Sequence, residues 1–130
     1  MIPQEVQDLL TERNHAVIAL NRPSGGPQVT PVWYLWDGEA FYFSTKKDSA
    51  KYRNIKRDPS ISLIVDESHG LRYVAAYGEA HIIDHDDPDF ASLASRTISK
   101  YAPPERVEQL VLESNRVMIK LKPEKVVVRK

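Results

Sequence analysis

The stretch Val29-Thr-Pro-Val-Trp-Tyr-Leu-Trp-Asp-Gly-Glu-Ala-Phe-Tyr-Phe-Ser-Thr45 indicates the fold more directly than any other part of the chain. Its aromatic and β-branched residues favour extended structure, and Asp37-Gly38 is typical of a two-residue turn between antiparallel strands. We therefore predict a hairpin whose two strands are Val29–Trp36 and Glu39–Thr45.

Both strands of this hairpin carry apolar or aromatic residues on both faces, notably over Val32–Trp36 and Ala40–Phe43. A half-exposed antiparallel strand would instead alternate with polar residues, so both faces need a cover. One face would fill the interior of a small barrel. For the other face we predict a second copy of the chain or a flat ligand, with a layer of helices from the end of the chain as the alternative.

The segment that follows the hairpin, Ser44 to Arg57, contains six basic residues and one acidic residue. A helix is predicted over Ser49–Arg57, and its first turn would present free backbone N–H groups. Hydroxyl groups and lysines surround that point, and both kinds of side chain bind anions. The segment therefore predicts an anion site, whereas an isolated basic helix exposed to solvent is the alternative. The side chains in question are those of Ser44, Thr45, Lys46, Lys47, Ser49 and Lys51.

The rest of the chain contains further short strands and helices but no internal repeat or linker, so we predict a single domain over 1–130. Gly78 suggests a bend or bulge in the longest strand. Hairpin connections between most strands favour a mainly β (α+β) fold, with an antiparallel sheet closed into a small barrel and helices outside. The remaining predicted elements are a helix over Gln4–Arg13, strands over Ala16–Leu20 and Ile61–Val65, a turn at Glu67–Gly70, a strand over Leu71–Asp84, helices over Pro88–Tyr101 and Pro104–Ser114, and strands over Asn115–Leu121 and Val126–Val128.

Composition excludes several classes of function. The 130 residues carry a formal net charge of zero, which argues against general binding to nucleic acid or membranes. The chain has no cysteine, so disulfides and thiolate chemistry are excluded. Its four histidines do not have metal-ligand spacing, and no serine lies in a nucleophile motif. We therefore predict no metal site and no dedicated catalytic residue, and any redox chemistry would come from a cofactor. Met1–Leu10 contains acidic residues and no sustained apolar core, and Ala16–Leu20 is too short to span a bilayer, so we predict a cytoplasmic protein.

Several of these segments, taken in order, resemble the split-barrel flavin and deazaflavin reductases related to pyridoxamine 5′-phosphate oxidase. They are Val29-Thr-Pro-Val-Trp33, Phe43-Ser-Thr-Lys-Lys-Asp-Ser-Ala-Lys51, Asn54-x-x-Arg57-Asp-Pro59, Tyr77-Gly-Glu-Ala80 and Arg116 to Val126. The resemblance covers nearly the whole chain. It implies a six-stranded antiparallel split barrel and a homodimer with two cofactor sites at the subunit interface.

The resemblance also implies which residues would contact the cofactor. The tricyclic ring would lie along Thr30, Pro31, Val32 and Trp33, and the phosphate and tail would be held by Ser44, Thr45, Lys46, Lys47, Ser49 and Lys51. Asp48 would face away from the anion as the cap of the helix.

One departure concerns activity. Pyridoxamine phosphate oxidases carry an Arg and a Lys in the strand that matches Val29–Trp36, and this strand has no basic residue; Val126–Lys130 also differs from their substrate-binding end. Three lysines within Lys46–Lys51 favour coenzyme F420, whose tail has several negative charges, over FMN. The predicted function is hydride transfer from this cofactor to a small conjugated organic acceptor.

Two alternatives remain at this point. One is an FMN-binding pyridoxamine phosphate oxidase-like protein or a flavin carrier without turnover. The other is a barrel that binds single-stranded nucleic acid by stacking bases on Trp33, Tyr34 and Trp36.

Overall fold

The computed structural model describes residues 1–67, 71–113 and 115–130. A 3₁₀ turn at Gln4–Val6 precedes the first helix. Within the described residues the α-helices are α1 Gln7–Thr11, α2 Ala50–Arg57, α3 Phe90–Ser99 and α4 Pro104–Val111. The strands are β1 Ala16–Leu20, β2 Gln28–Val32, β3 Leu35–Trp36, β4 Phe41–Lys46, β5 Ser60–Asp66, β6 Tyr73–Ile83, β7 Arg116–Leu121 and β8 Lys125–Arg129.

The strands form one antiparallel sheet in the order β2-β1-β5-β6-β7-β4-β3, and β8 pairs with β6 outside this path. The sheet has two halves. We call β2, β1, β5, β8 and the part of β6 that pairs with β5 and β8 the first half, and β3, β4, β7 and the end of β6 the second half. This arrangement confirms the predicted mainly β, antiparallel split barrel with peripheral helices.

The predicted strand Val29–Trp36 is divided in two. Its first part, β2, pairs with β1, whereas its second part, β3, pairs with β4. Between them the backbone N–H of Tyr34 donates to the Tyr101 hydroxyl at 3.3 Å, and the Tyr34 carbonyl accepts from Lys100 Nζ at 3.4 Å. Side chains therefore replace a neighbouring strand at the point where the chain crosses between the halves.

The long strand β6 makes the same crossing without a break. Tyr73–Glu79 pairs with β5, and Ala80–Ile83 pairs with β7. Pairing with β5 is continuous through Gly78, so a bend and not a bulge is the correct description. A Cβ atom at Gly78 would lie 2.9 Å from Leu121 Cδ1 and 3.0 Å from the Lys122 carbonyl, which explains the glycine by close approach.

The barrel interior is a continuous apolar core. Val6, Leu9 and Leu10, at the start of the chain, are fully buried in this core and close one end of the barrel. The predicted opening helix is therefore correct in position, although its helical part is shorter than Gln4–Arg13. Asp37 Oδ1 accepts hydrogen bonds from two backbone N–H groups of the β3–β4 turn, and Gly38 has a positive φ of 98°, as the predicted Asp-Gly turn requires.

The outer face of the second half is covered by the chain's own helix α3. Phe90, Leu93 and Ala94 of this helix pack with Tyr42 of β4 and Met118 of β7 in a second apolar cluster. The apolar character of Val32–Trp36 and Ala40–Phe43 was interpreted above as a sign of a second copy or a flat ligand. The alternative helical layer covers Leu35, Ala40 and Tyr42 of these strands, whereas Trp33 keeps 40% of its surface exposed, so a second copy or a flat ligand stays a prediction at Val32–Trp33.

An uncovered apolar face lies in the first half, on the outer side of β1, β2, β5, β6 and β8. Cross-strand pairing places Pro31, Val17, Ile64, Ala75 and Val127 in one row across it. Val29, Ala19, Ser62, Tyr77 and Lys125 form the adjacent row. Val17, Ile64, Tyr77 and Val127 each keep between 37% and 43% of their surface exposed, so we call these two rows the bare face.

The other predicted elements are present with adjusted ends. The structure has eight strands in its described part, more than the six expected, because Val29–Trp36 divides and Val126–Val128 belongs to a true strand, β8. Helix α3 is shorter than Pro88–Tyr101. Most of the predicted turn Glu67–Gly70 and the end of Pro104–Ser114 lie outside the described residues.

The residue that caps α2 is Ser49. Its Oγ accepts from the Tyr52 N–H at 3.1 Å, which corrects the expectation that Asp48 is the cap. At the other end of α2, Arg57 donates to Asn54 Oδ1 and to the Asn21 carbonyl, and Asn54 donates to Gln28 Oε1. The motif Asn54-x-x-Arg57 thus attaches α2 to the connection between β1 and β2. None of the helices in the described ranges is long and apolar enough to span a membrane.

Candidate functional site

A cavity of about 300 Å³ lies between the second half of the sheet and the helices that cover it. The end of β2 and the following residue contribute one wall, β4 and β7 contribute the floor, and α3 and α4 contribute the cover. Lys51 enters from the first turn of α2. The lining residues are Pro31, Val32, Trp33, Ser44, Lys51, Ala94, Thr97, Ile98, Leu110, Arg116 and Met118.

One end of the cavity is cationic. Lys51 and Arg116 both line it, and Arg116 Nη1 donates to Ser44 Oγ at 3.3 Å. Arg116 has a counter-ion, because its Nε donates to Glu113 Oε2 at 2.8 Å. For Lys51 the described residues provide no ion-pair partner. Two cations and a hydroxyl group close together, with one charge uncompensated, have the chemistry to hold an anionic group.

The electrostatics of Lys51 support this description. Burial of the side chain lowers the pKa of Lys51 below its ordinary value, and the nearby positive charge of Arg116 lowers it further. Both effects penalise the ammonium form of Lys51. A bound anion would relieve the repulsion between these cations, so the free energy of anion binding includes that gain.

The other end of the cavity is apolar and contains an aromatic side chain. The Trp33 ring stacks on Tyr101 with 5.1 Å between the ring centroids and 6° between the planes. The Tyr101 hydroxyl donates to the Asn14 carbonyl at 2.6 Å, so the stacked pair is anchored to the chain before β1. Pro31 and Val32 continue this wall, and Pro31 also belongs to the bare face. The cavity therefore lies next to that face.

The structure brings five of the ten predicted site residues together in this cavity: Pro31, Val32, Trp33, Ser44 and Lys51. Thr30 does not line the cavity, and its buried Oγ1 has no hydrogen-bond partner in the described part of the chain. The hydroxyls of Thr45 and Ser49 bond to each other at 2.9 Å, and Ser49 also donates to the Lys46 carbonyl at 2.7 Å.

The two remaining lysines have other surroundings. Lys46 is exposed at the end of β4 and does not line the cavity. Lys47 forms an ion pair with Asp84 at 3.6 Å, on the loop that follows β6. Contacts of Thr30, Thr45, Lys46, Lys47 and Ser49 with a cofactor stay a prediction.

Sequence reasoning missed Arg116 and the residues of α3 and α4 that line the cavity. Arg116 pairs with Lys46 in the β4–β7 register, and Ser44 pairs with Met118, so these side chains share a face. That proximity depends on pairing between strands about 70 positions apart, which no local pattern reveals. The signal that was available is Arg116 itself, a basic residue that directly precedes the apolar run Val117–Ile119.

A second cavity, of about 320 Å³, opens on the bare face. The two cavities have similar volumes but differ in the charged residues that line them. Glu124 and Lys125 both line it, so one acidic and one basic group balance each other. The first cavity, by contrast, is lined by two cations and by no carboxylate among the residues described.

The structure buries most of the surface on which the nucleic-acid alternative depended. Tyr34 is fully buried and Trp36 is nearly so, while Trp33 stacks on Tyr101 and keeps 40% of its surface exposed. Tyr34 and Trp36 are therefore not accessible to stacking bases, and of the three only Trp33 is. Within the residues described, no group of three or more histidine or acidic side chains is arranged to hold a metal ion.

The fold and this cavity define the protein as a split-barrel protein of the flavin-binding type, and comparison with known proteins identifies the family. Residues 2–130 match the pyridoxamine 5′-phosphate oxidase family. The chain belongs to this family, as the resemblance in its sequence indicated.

Solved structures show the same fold. A protein described as an F420 reductase is 28% identical, with 97% of this chain and 98% of that chain covered and a TM-score of 0.76. The conserved hypothetical protein Rv2991 from Mycobacterium tuberculosis is 26% identical over 98% of this chain and 84% of its own, with a TM-score of 0.79. The heme storage protein HutZ from Vibrio cholerae, at 17% identity, 95% and 92% coverage and a TM-score of 0.80, shares the fold.

Proposed function

We propose that this protein binds coenzyme F420, or FMN as the alternative, and transfers a hydride from the reduced cofactor to a small conjugated organic acceptor. The observation that carries the proposal is the cavity itself, whose lining combines an apolar and aromatic wall at Pro31–Trp33 with the cations Lys51 and Arg116. A ligand with a flat ring and an anionic tail matches this polarity.

The residues present fit such a cofactor. Lys51, Arg116 and Ser44 would hold a phosphate or carboxylate group, and Pro31, Val32 and Trp33 would contact the ring. In this proposal Trp33 holds its orientation during binding, because its stacking on Tyr101 already fixes the ring plane. When bound, the cofactor would supply the hydride.

The cavity walls suggest how protons are handled. No histidine or carboxylate is found among its described lining residues, so the chain offers no evident acid or base at the ring. The apolar side chains of Ala94, Ile98, Leu110 and Met118 would exclude bulk water from the ring and the acceptor. Water at the open side would supply the proton that accompanies the hydride.

A homodimer is part of the proposal. The cavity of about 300 Å³ is at the lower end of the range for small-molecule sites, and a tricyclic cofactor with its tail needs more wall. The bare face adjoins the cavity at Pro31 and has an extended apolar surface. A second copy seated on that face would supply additional wall and cover the exposed side chains.

The choice of F420 is supported by the similarity to the protein described as an F420 reductase, over almost the full length of both chains. The argument from three lysines carries less weight, because Lys47 is paired with Asp84 and Lys46 lies outside the cavity. FMN requires only one phosphate site, which Lys51 and Arg116 would suffice to form.

Parallel fluorescence titrations with F420 and FMN test the proposal. We expect saturable binding of at least one cofactor and, with reduced cofactor, oxidation that depends on an added conjugated carbonyl compound. Binding without such turnover would favour the flavin-carrier alternative. Absence of binding to either cofactor at micromolar protein would contradict the proposal.

A further inference from the structure

Glu113 is the one acidic side chain that contacts a cation of the cavity in the described ranges, and it does not itself line the cavity. It follows α4, whose Leu110 is part of the cover. Its carboxylate is not part of a fully buried ion pair, since the Glu113 side chain is 39% exposed and that of Arg116 is 28% exposed. The contribution of this partly exposed ion pair to the free energy of unfolding is therefore small.

The geometry of the contact is specific. Glu113 Oε2 accepts from Arg116 Nε at 2.8 Å, while Arg116 Nη1 donates to Ser44 Oγ at 3.3 Å. The guanidinium is planar, so a partner at Nε together with one at Nη1 determines the orientation of the whole group. Ser44 lines the cavity, so the terminal nitrogens of Arg116 are directed to the same place.

We propose that Glu113 is a positioning residue that holds the Arg116 guanidinium with its terminal nitrogens toward the cavity, ready for paired hydrogen bonds to a phosphate or carboxylate group. This inference rests on the proposed function for the identity of the natural ligand. It assigns Glu113 an effect on ligand affinity that operates only through Arg116. The essential property is a hydrogen-bond acceptor at Nε, not the negative charge.

The hydrogen bond from Arg116 lowers the pKa of Glu113, so the carboxylate form is favoured at this contact. The negative charge has an opposite effect on the ligand, because a carboxylate close to an anion site repels the anion. Loss of the acceptor and loss of the charge should therefore change affinity in opposite directions. Two substitutions at one position separate them.

The test measures FMN and F420 affinity by fluorescence titration for E113A, E113Q, R116A and the double variant E113A/R116A. We expect E113A to weaken binding roughly tenfold, as for loss of a charge-assisted contact. E113Q keeps an acceptor for Nε and should bind as tightly as the unmodified chain or more tightly. The double variant should bind no more weakly than R116A, because Glu113 then has nothing to orient.

Glu108→Ala is the matched control, since Glu108 is an exposed acidic residue of α4. It should leave affinity unchanged, and melting temperatures should show that all variants fold. The proposal is overturned if E113A binds normally, if E113Q is as weak as E113A, or if the effects of E113A and R116A add.

Failure of the proposed function is distinguishable from failure of this inference. If the unmodified chain binds neither cofactor, the proposed function fails, and the same set of variants is titrated with inorganic pyrophosphate while the melting temperature is followed. The same pattern of variant effects would support the role of Glu113 at an anion site. No stabilisation of the unmodified chain by pyrophosphate, or additive effects, would overturn it.

Discussion

The strands of both halves of the barrel are rich in apolar residues, but the outer face of the second half is covered and that of the first half is exposed. In the second half, Tyr42 and Met118 are buried under α3. In the first half, Val17 and Ile64 remain exposed on the bare face. The chain leaves β6 at Ile83, beside β7, and reaches β7 through α3 and α4, so this long connection covers the second half.

The connections of the first half do not cover its outer face. Residues 21–27 join β1 to β2, and residues 122–124 join β7 to β8, with no helix in either. The connection from β4 to β5 contains α2, but Tyr52 and Ile55 of this helix pack against the barrel core. Apolar residues on both faces of a strand therefore predict that both faces are buried. The connections between the strands determine whether the chain's own helices bury the outer face. Four predictions test this comparison, from the largest expected effect to the smallest.

The largest effect is expected for a charge on the bare face. If a second copy covers this face, Ile64→Glu places an unpaired carboxylate at the interface in each copy and should weaken association by about 3–5 kcal/mol. Sedimentation should show the unmodified chain as a dimer and the variant as a monomer near 14.8 kDa. Leu71→Glu, at an exposed position off the bare face, should remain dimeric. A monomeric unmodified chain would contradict the proposed homodimer.

On the covered outer face of the second half, a substitution should change the free energy of unfolding instead of the association of two copies. Leu93→Ala removes a buried side chain of α3 that packs in the cluster with Tyr42 and Met118. The free energy of unfolding should fall by about 2–5 kcal/mol, as for other large-to-small changes in a core. Urea denaturation measures it, with Leu112→Ala as the exposed control. Equal stability of the two variants would mean that α3 does not cover the second half.

The cavity under the covering helices should distinguish two lysines that are close in sequence. Lys51→Met removes an uncompensated cation from the cavity and should weaken cofactor binding by about 1.5–3 kcal/mol. Lys47→Met removes a charge paired with Asp84 outside the cavity, so its effect should be much smaller. Fluorescence titration compares them. Similar losses in both variants would show that the anionic tail extends to Lys47, as the lysine cluster in the sequence predicts.

The smallest effect concerns the crossing between the halves at Tyr34. Burial lowers the pKa of Lys100, whose Nζ lies 3.7 Å from the Tyr34 ring centroid, to about 8 from an ordinary value of 10.5. Between these values the unfolded chain binds more protons than the folded chain, so Lys100 increases stability as pH rises from about 8 toward 10.5.

Thermal melts of the unmodified chain and Lys100→Met between pH 7.5 and 9.5 check this sign. The melting temperature of the unmodified chain should rise relative to that of the variant across this range. A constant difference would show that Lys100 titrates as it does in the unfolded chain. Ionisation of Tyr34 does not interfere here, because burial raises its pKa well above the ordinary range.

The sequence by itself determined the local structure and the family. The Asp37-Gly38 turn, strand β1, the helix that begins after Ser49 and the strand pattern all depend on short-range periodicity, capping and turn chemistry. Five of the site residues that were selected from the resemblance to the family line one cavity.

The tertiary structure alone decided which face is covered and which charges meet. The pairing of β4 with β7 brings Arg116 into contact with Ser44. Lys47 forms an ion pair with Asp84 instead of lining the cavity with Lys51. The strand Val29–Trp36 divides because Tyr101 and Lys100, far along the chain, bond to the backbone at Tyr34. Long-range contacts of this kind are set by the sum of packing and connection lengths, and no local window of sequence contains that information.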